Sequence, residues 1–513
     1  MDFHSLVWAL TALMTSLVAA VLVFVVAWCI WYRTSSWTRL INRLPGPRPL
    51  PVVGSALELL AGCPAFLETF FDKWTARYGD IFRVYIGLDC YVFVSSPEYI
   101  DVILNSTTVL DKGRSSRALR PWLGDGLSNS SGDKWKSRRR MLSHAFHTKV
   151  LANYVDTFNE QSLILCSKLL AKCRSKGPFE VDIFPLLSLC TLDIICESAL
   201  GSTINAQGEE CEYLVASGRM AQIVTEKSHR PWLSSNWLFS LTDVSVEHDR
   251  CLKVLHRVTN EIINKRRSQV AHAKLFKLPE HSAEHRPRKA FVDWLLEFAT
   301  AGEDLSKQDV KDEVDTLITA GHETSASAIS WFLYCMAANP EHQERLHEEL
   351  DDLFGDSDRY CTQHDLVELK YLDSCVKEAL RLYPSVAYFD RFVTQPIQLG
   401  VYQIPPDCNI RIFPYAMHRN PRIYPQPGVF NPHRFTVEQS VGRHPCAYIP
   451  FGAGHRNCLG QRYAQTEVKM VVSTIMRRFK FELPPSGTEG PKVAVDMVLK
   501  SVDGIRLLIS ARK

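Results

Sequence analysis

Phe451-Gly452-Ala453-Gly454-His455-Arg456-Asn457-Cys458-Leu459-Gly460 sets one cysteine between glycines, just ahead of a helical pattern. A thiolate held against a haem iron has these needs. Its backbone must pass close to the porphyrin plane, where glycine at 454 and 460 leaves no Cβ in the way. Backbone N–H groups and the N-terminus of the following helix favour a negative sulfur, and a thiolate on iron supplies electron density that promotes O–O cleavage. Cys458 is therefore the candidate axial iron ligand, and Arg456 a candidate propionate contact. At ordinary residue usage the five positions Phe451, Gly454, Arg456, Cys458 and Gly460 coincide in roughly one window in ten million. That outweighs the inert buried thiol expected of an arbitrary member among 15 cysteines. The sharper rival is a structural zinc on His444, Cys446, His455 and Cys458, weakened by the single residue between His444 and Cys446.

Working outward, the helix after Leu459 carries Ala464, Val468 and Val471 inward and ends near Met476-Arg477-Arg478-Phe479. Gly504 to Ile509 reads as a strand at a sheet edge, with Met497-Val498-Leu499 before it as the far wall of a pocket. Upstream, Ser306 and Asp309 form a capping-box pattern opening a long helix that Asn339-Pro340 stops. Mid-helix, Gly321 in Ala320-Gly321-His322-Glu323-Thr324 costs about 1 kcal/mol relative to alanine, which points to a ligand close to the backbone. The ordinary reading of Thr324 is a hydroxyl bonded back to the Ala320 carbonyl. Trp135 and Arg139 share a helix face at i, i+4, and Glu378 and Arg381 stand at i, i+3. Ile81–Ile86 and Tyr91–Val94 around Gly87 read as a β-hairpin. Strands are few and helical periodicity prevails, so the class is mainly α with small β-sheets.

These motifs closely resemble those of the cytochrome P-450 superfamily, the haem-thiolate monooxygenases, over essentially the whole chain. In wording they are most like the microsomal family that includes fatty-acid ω-hydroxylases. The resemblance implies haem b with Cys458 as thiolate ligand to the iron. It implies that Trp135, Arg139, Arg391 and Arg456 hold the propionates within a site that Phe451, Gly454 and Gly460 help to form, and that Glu323 and Thr324 deliver protons on the oxygen-binding side. Glu378, Arg381 and Arg434 match the family's buried structural cluster, and Ser385-Val386-Ala387 should line the pocket. Many ω-hydroxylases of this kind carry a glutamate, esterified to haem, where this chain has Ala320; the haem here is therefore expected not to be covalently attached. Electrons would come from NADPH-cytochrome reductase, with cytochrome b5 a candidate second donor. The implied reaction inserts one oxygen atom into a C–H bond of a lipophilic small molecule, foremost a fatty acid at or near its chain end. Terpenoids, hormones and xenobiotics are alternatives, as are a haem-thiolate isomerase or dehydratase and a haem-binding sensor.

The 59 basic and 56 acidic residues leave a net charge of +3 and no global nucleic-acid footprint. Irregular cysteine spacing fits a reducing compartment. Ser5 to Tyr32 contains no charged side chain and is long enough to cross a bilayer. Arg33, Arg39, Arg43 and Arg48 follow it, which predicts a single-pass anchor in the endoplasmic reticulum with the catalytic part cytosolic. Residues 1–44 read as membrane anchor and linker and 45–513 as the catalytic domain, with the proline run from Leu44 to Pro51 a stiff spacer. Lys134, Lys136, Arg138 and Arg140 offer a basic face to an acidic electron donor. The aromatic stretch from Met220 to Phe239 falls where the resembled family forms part of the substrate roof, with bilayer contact and burial in the core as the readings of its residues, and His272 to Lys289 reads as an exposed polar loop.

Overall fold

The computed structural model describes all residues except 1–2, 52, 60–66, 147, 209, 276–289, 301–304, 486–489 and 513. Helix α1 (Phe3–Thr34) is exposed, and its apolar part, Phe3–Tyr32, spans 30 residues. At 1.5 Å per residue this is about 45 Å, more than the ~30 Å hydrocarbon layer requires. Helix α2 (Ser36–Ile41) already belongs to the folded body. Trp37 Nε1 donates to the Pro406 carbonyl at 2.7 Å, and Ile41 and Leu44 are buried in the core around the largest sheet.

The proline run is held against the folded body. It lies along β1 (Ile81–Ile86), where the Arg83 N–H donates to the Pro45 carbonyl at 2.8 Å and the Arg83 guanidinium to the Pro47 carbonyl at 2.9 Å. β1 and β2 (Asp89–Val94) form the expected hairpin, turning at Gly87 with φ of +62°.

Beyond this hairpin the chain is dominated by helices: α3 (Gly132–Ser143), α4 (Val155–Lys176), then strand β3 (Phe179–Asp182), α5 (Ile183–Ser198), α6 (Glu212–His229) and α7 (Asp243–Leu275). Helix α8 (Lys307–Ala338) begins at the Ser306/Asp309 capping box, both halves of which are made, and stops at Asn339 before Pro340. Most of its side chains are buried, with Asp312, Glu313, Asp315, His322 and Glu323 among them, so it runs through the core, packed on α5, α9 (Lys370–Leu382) and α10 (Gln461–Met476). Two β-strands, β4 (Phe389–Val393) and β5 (Cys408–Ile412), complete the first sheet in the order β1-β2-β5-β4.

Near the C-terminus, β6 (Phe479–Glu482) is followed by a short hairpin, β7 (Val493–Asp496) and β8 (Val498–Ser501), that turns at Met497 with φ of +60°. The last strand, β9 (Arg506–Ala511), is not an edge as its position suggested. It lies between β3 and β6, pairing Leu507 with Val181 and Ile509 with Phe481. The architecture is mainly helical with small sheets.

Candidate active site

Cys458 opens onto a cavity of about 330 Å³ bounded by α8, α10, β4 and the cysteine loop. Its N–H donates to the Phe451 carbonyl at 2.9 Å, which closes the loop three residues before α10 begins. Burial pushes the Cys458 thiol up, opposed by a backbone hydrogen bond from Gly460 and by the positive charges of Arg139 and Lys112. Phe451 and Gly460 line the cavity, but Gly454 does not. Gly454 has φ of +68°, and a Cβ there would come within 2.0 Å of the Leu104 carbonyl oxygen. That glycine is required by loop conformation and by the approach of Leu104, not by clearance from a porphyrin. At Gly460 a Cβ would make only ordinary contacts, 3.9 Å from Phe146 and 4.0 Å from Cys458 Sγ.

Four cations surround the same space. Arg139, one turn after Trp135 on α3, donates to the Asn457 carbonyl at 2.7 Å. The Arg456 guanidinium lies 4.9 Å from the Trp135 ring centre and donates to the Leu110 carbonyl at 2.7 Å. Arg391 on β4 donates to the Arg456 carbonyl at 3.4 Å, and Lys112 joins Arg391 through a β-bridge. All four line the cavity, with Trp135. Burial pulls Arg391 and Arg456 down to about 10, and burial with these two arginines pulls Lys112 down to about 7. No carboxylate among the described residues lies within ion-pair distance of any of the four. Buried positive charge left uncompensated is expensive, so the cluster demands anions. The two propionates of a haem whose iron meets Cys458 fit that demand. Lys112 escaped the sequence reading because Leu110-Asp111-Lys112-Gly113 forms no motif.

Across the cavity α8 presents Ala320, Gly321, Thr324 and Ser325. The close neighbour that requires Gly321 is Ile195 of α5, which a Cβ would approach to 2.6 Å, so helix packing explains this glycine. The Thr324 hydroxyl donates to the Ala320 carbonyl at 2.6 Å. Glu323 does not line the cavity. Its buried carboxylate sits 4.0 Å from Lys500 of β8, and burial pushes its pKa up against that cation. Ser385 and Val386 line the cavity, whereas Ala387, Met497, Val498 and Leu499 do not. Leu499 belongs to the core behind α8, its carbonyl accepting from Ser327 and Trp331.

Beneath the loop, Arg381 grips Glu378 through two bonds of 2.7 and 2.8 Å, both side chains being wholly buried, and Arg434 Nε stands 3.4 Å from the same carboxylate. The Cys446 thiol donates to Asp101, and no group of three or more metal-ligating side chains occurs among the described residues, so the zinc reading has no geometry. The basic face of α3 is smaller than expected. Arg138 is buried against Asp309 at 3.0 Å, and Lys134 pairs with Asp125 and Asp309, leaving Lys136 and Arg140 outside. Between Met220 and Leu241 the burial is mixed. Leu233 and Phe239 are buried while Trp237 and Leu241 are exposed by about 70%. Of the polar loop, 272–275 end α7 and 276–289 lie outside the described residues.

A profile for the family Cytochrome P450 matches residues 44–508. The chain belongs to that family: it is a haem-thiolate monooxygenase whose iron takes a cysteine thiolate as axial ligand. It is 37% identical to Cytochrome P450 4c3 of Drosophila melanogaster over 97% of this chain and 94% of that protein. It is likewise 37% identical to Cytochrome P450 4c21 of Blattella germanica, covering 96% and 98%, and to human Cytochrome P450 4V2, covering 91% and 89%.

Proposed function

We propose that this monooxygenase hydroxylates fatty acids at or near the chain end. NADPH-cytochrome reductase supplies electrons and cytochrome b5 acts as a second donor, at the cytosolic face of the endoplasmic reticulum membrane. The observation that carries the reading is Cys458 and Thr324 on the walls of one cavity whose remaining lining is mostly apolar. Haem, when bound, supplies the dioxygen chemistry. Cys458 holds the iron, and Trp135, Lys112, Arg139, Arg391 and Arg456 hold the propionates. Leu317, Val386 and Phe389 exclude water and receive the hydrocarbon. Thr324 holds a hydroxyl proton at the cavity wall. Glu323, behind α8 and 4.0 Å from Lys500, which is partly open to solvent, relays protons towards Thr324. Helix α1 anchors the chain, and the exposed Trp237, Leu238 and Leu241 make a second membrane contact.

Oxidation of terpenoids, hormones or xenobiotics is the second reading. It is favoured by Ala320, whose methyl opens on the cavity and has no oxygen for an ester to haem, so the ring is held without a covalent link. Full-length protein reconstituted with reductase and NADPH, given saturated fatty acids of graded length and a terpenoid panel, tests both. Terminal or near-terminal hydroxy acids support the first reading. Oxygenated terpenoids with no hydroxy acid overturn it in favour of the second.

A further inference from the structure

Glu467, which no motif singled out, is wholly buried on α10, the helix that follows Cys458. Ser325, the residue after Thr324 on α8, donates its hydroxyl to Glu467 Oε2 at 2.6 Å. Oε1 has no hydrogen-bond partner, and no cation pairs with this carboxyl among the described residues. The titratable groups it meets are Cys190 of α5 and Tyr463 one turn earlier on α10, both kept neutral by burial. The Tyr463 hydroxyl is already engaged with Ser198 at 2.7 Å. An ionised carboxylate here would be a lone buried charge, whereas a neutral acid accepting from Ser325 needs no counter-ion.

This bond ties together the two helices that carry the two halves of the site. Helix α10 contributes Tyr463, Ala464 and Val468 to the cavity, and α8 contributes Thr324, Ser325 and Ala328. Thr324 is thereby fixed from both sides, with Ser385 Oγ on its carbonyl at 2.8 Å and Glu467 on the next side chain. We propose that Glu467 is a positioning residue: as a neutral carboxylic acid it locks α8 to α10 through Ser325 and so sets where the Thr324 hydroxyl stands relative to Cys458. The proposal rests on the reading of Thr324 as the residue that places a proton at the cavity.

The test uses the full-length holoprotein with Glu467→Gln, Glu467→Ala, Ser325→Ala and the Ser325→Ala/Glu467→Ala double variant, with Thr324→Ala as control. Glutamine reproduces a neutral acid's carbonyl, so Glu467→Gln should keep the wild-type ratio of product to NADPH consumed. Glu467→Ala and Ser325→Ala should lower it several-fold, and the double variant should be no worse than either single one, because they remove the same bond. Haem content of Ser325→Ala should stay at the wild-type level.

Thermal unfolding against pH is a readout that needs neither substrate nor reductase. Burial raises Glu467 from its ordinary 4.5 to about 8. The folded chain therefore keeps a proton that the unfolded chain has lost, and the stability tied to that proton is full below 4.5 and fades as pH rises to about 8. Glu467→Gln carries no such group, so its melting temperature should gain on wild type between about pH 5 and about pH 8. An unchanged difference across that range, or a Glu467→Gln as uncoupled as Glu467→Ala, would overturn the proposal. Should Glu467→Ala fail to fold, Ser325→Ala decides, and wild-type coupling in that variant sinks it. Wild-type coupling in Thr324→Ala refutes the reading of Thr324 alone, and the pH dependence of unfolding then judges the neutral acid by itself.

Discussion

The Thr324 hydroxyl donates to the Ala320 carbonyl at 2.6 Å, one turn back along the same helix and in the wall of the cavity onto which Cys458 opens. The bond is the ordinary habit of a helical threonine. Its place on the cavity is not ordinary. Thr324→Ala should leave haem and substrate binding near wild type, slow a proton-transfer step about 10²-fold and divert electrons to hydrogen peroxide. Product formed per NADPH is the measurement, and an unchanged ratio would make Thr324 a helix residue only.

Glu378→Ala should abolish the folded haem protein. It leaves Arg381 buried with no carboxylate in a site that has no access to water. Breaking such a pair from one side costs about 3–5 kcal/mol. The contacts of Arg381 to the His418 and Pro427 carbonyls, each 2.8 Å, would remain but cannot neutralise the charge. The yield of holoprotein decides it, and a Glu378→Ala variant with a wild-type melting temperature would contradict the structural role of the cluster.

Ala320 opens on the cavity, which gives a replacement carboxylate at this point of α8 access to the ring. Acid and organic solvent should extract all haem from the wild type, and Ala320→Glu should gain a covalently attached fraction during turnover. Haem mass after denaturing chromatography reads both. Haem retained by the wild-type polypeptide would mean that another residue forms the link.

Truncation separates anchor from body at a point the packing marks. Deleting residues 1–34 should release much of the protein from membranes with its haem intact, and residual binding should fall further on Trp237→Ser with Leu241→Ser. Deleting through Leu44 should also destabilise the domain. It removes Trp37, Ile41 and Leu44 from the core around the first sheet, where burying a large apolar side chain contributes about 1.5–3 kcal/mol. Equal melting temperatures for the two truncations would contradict this.

What was legible in the sequence was what is local. The Trp135/Arg139 spacing on one helix, the capping box at Ser306 and the hairpin at Gly87 are each set by neighbours along the chain, and each forms as read. What was illegible depends on distant partners. Gly454 answers to Leu104 and Gly321 to Ile195, neither of them visible in the spacing. Arg138 turned inward because Asp309 and Glu313 wait on another helix, and Glu323 turned from the cavity towards Lys500. Lys112 and Glu467 carry no local signature, and only the fold brings one to the cation cluster and the other to Ser325.

The most direct test of the central claim is the reduced, carbon-monoxide-bound spectrum of the purified full-length protein beside that of Cys458→Ala. Wild type should show the strongly red-shifted Soret band of thiolate-ligated haem, and the variant should lose it. A wild-type protein without that band, or a Cys458→Ala variant that keeps it, would contradict the assignment of Cys458 as the iron ligand.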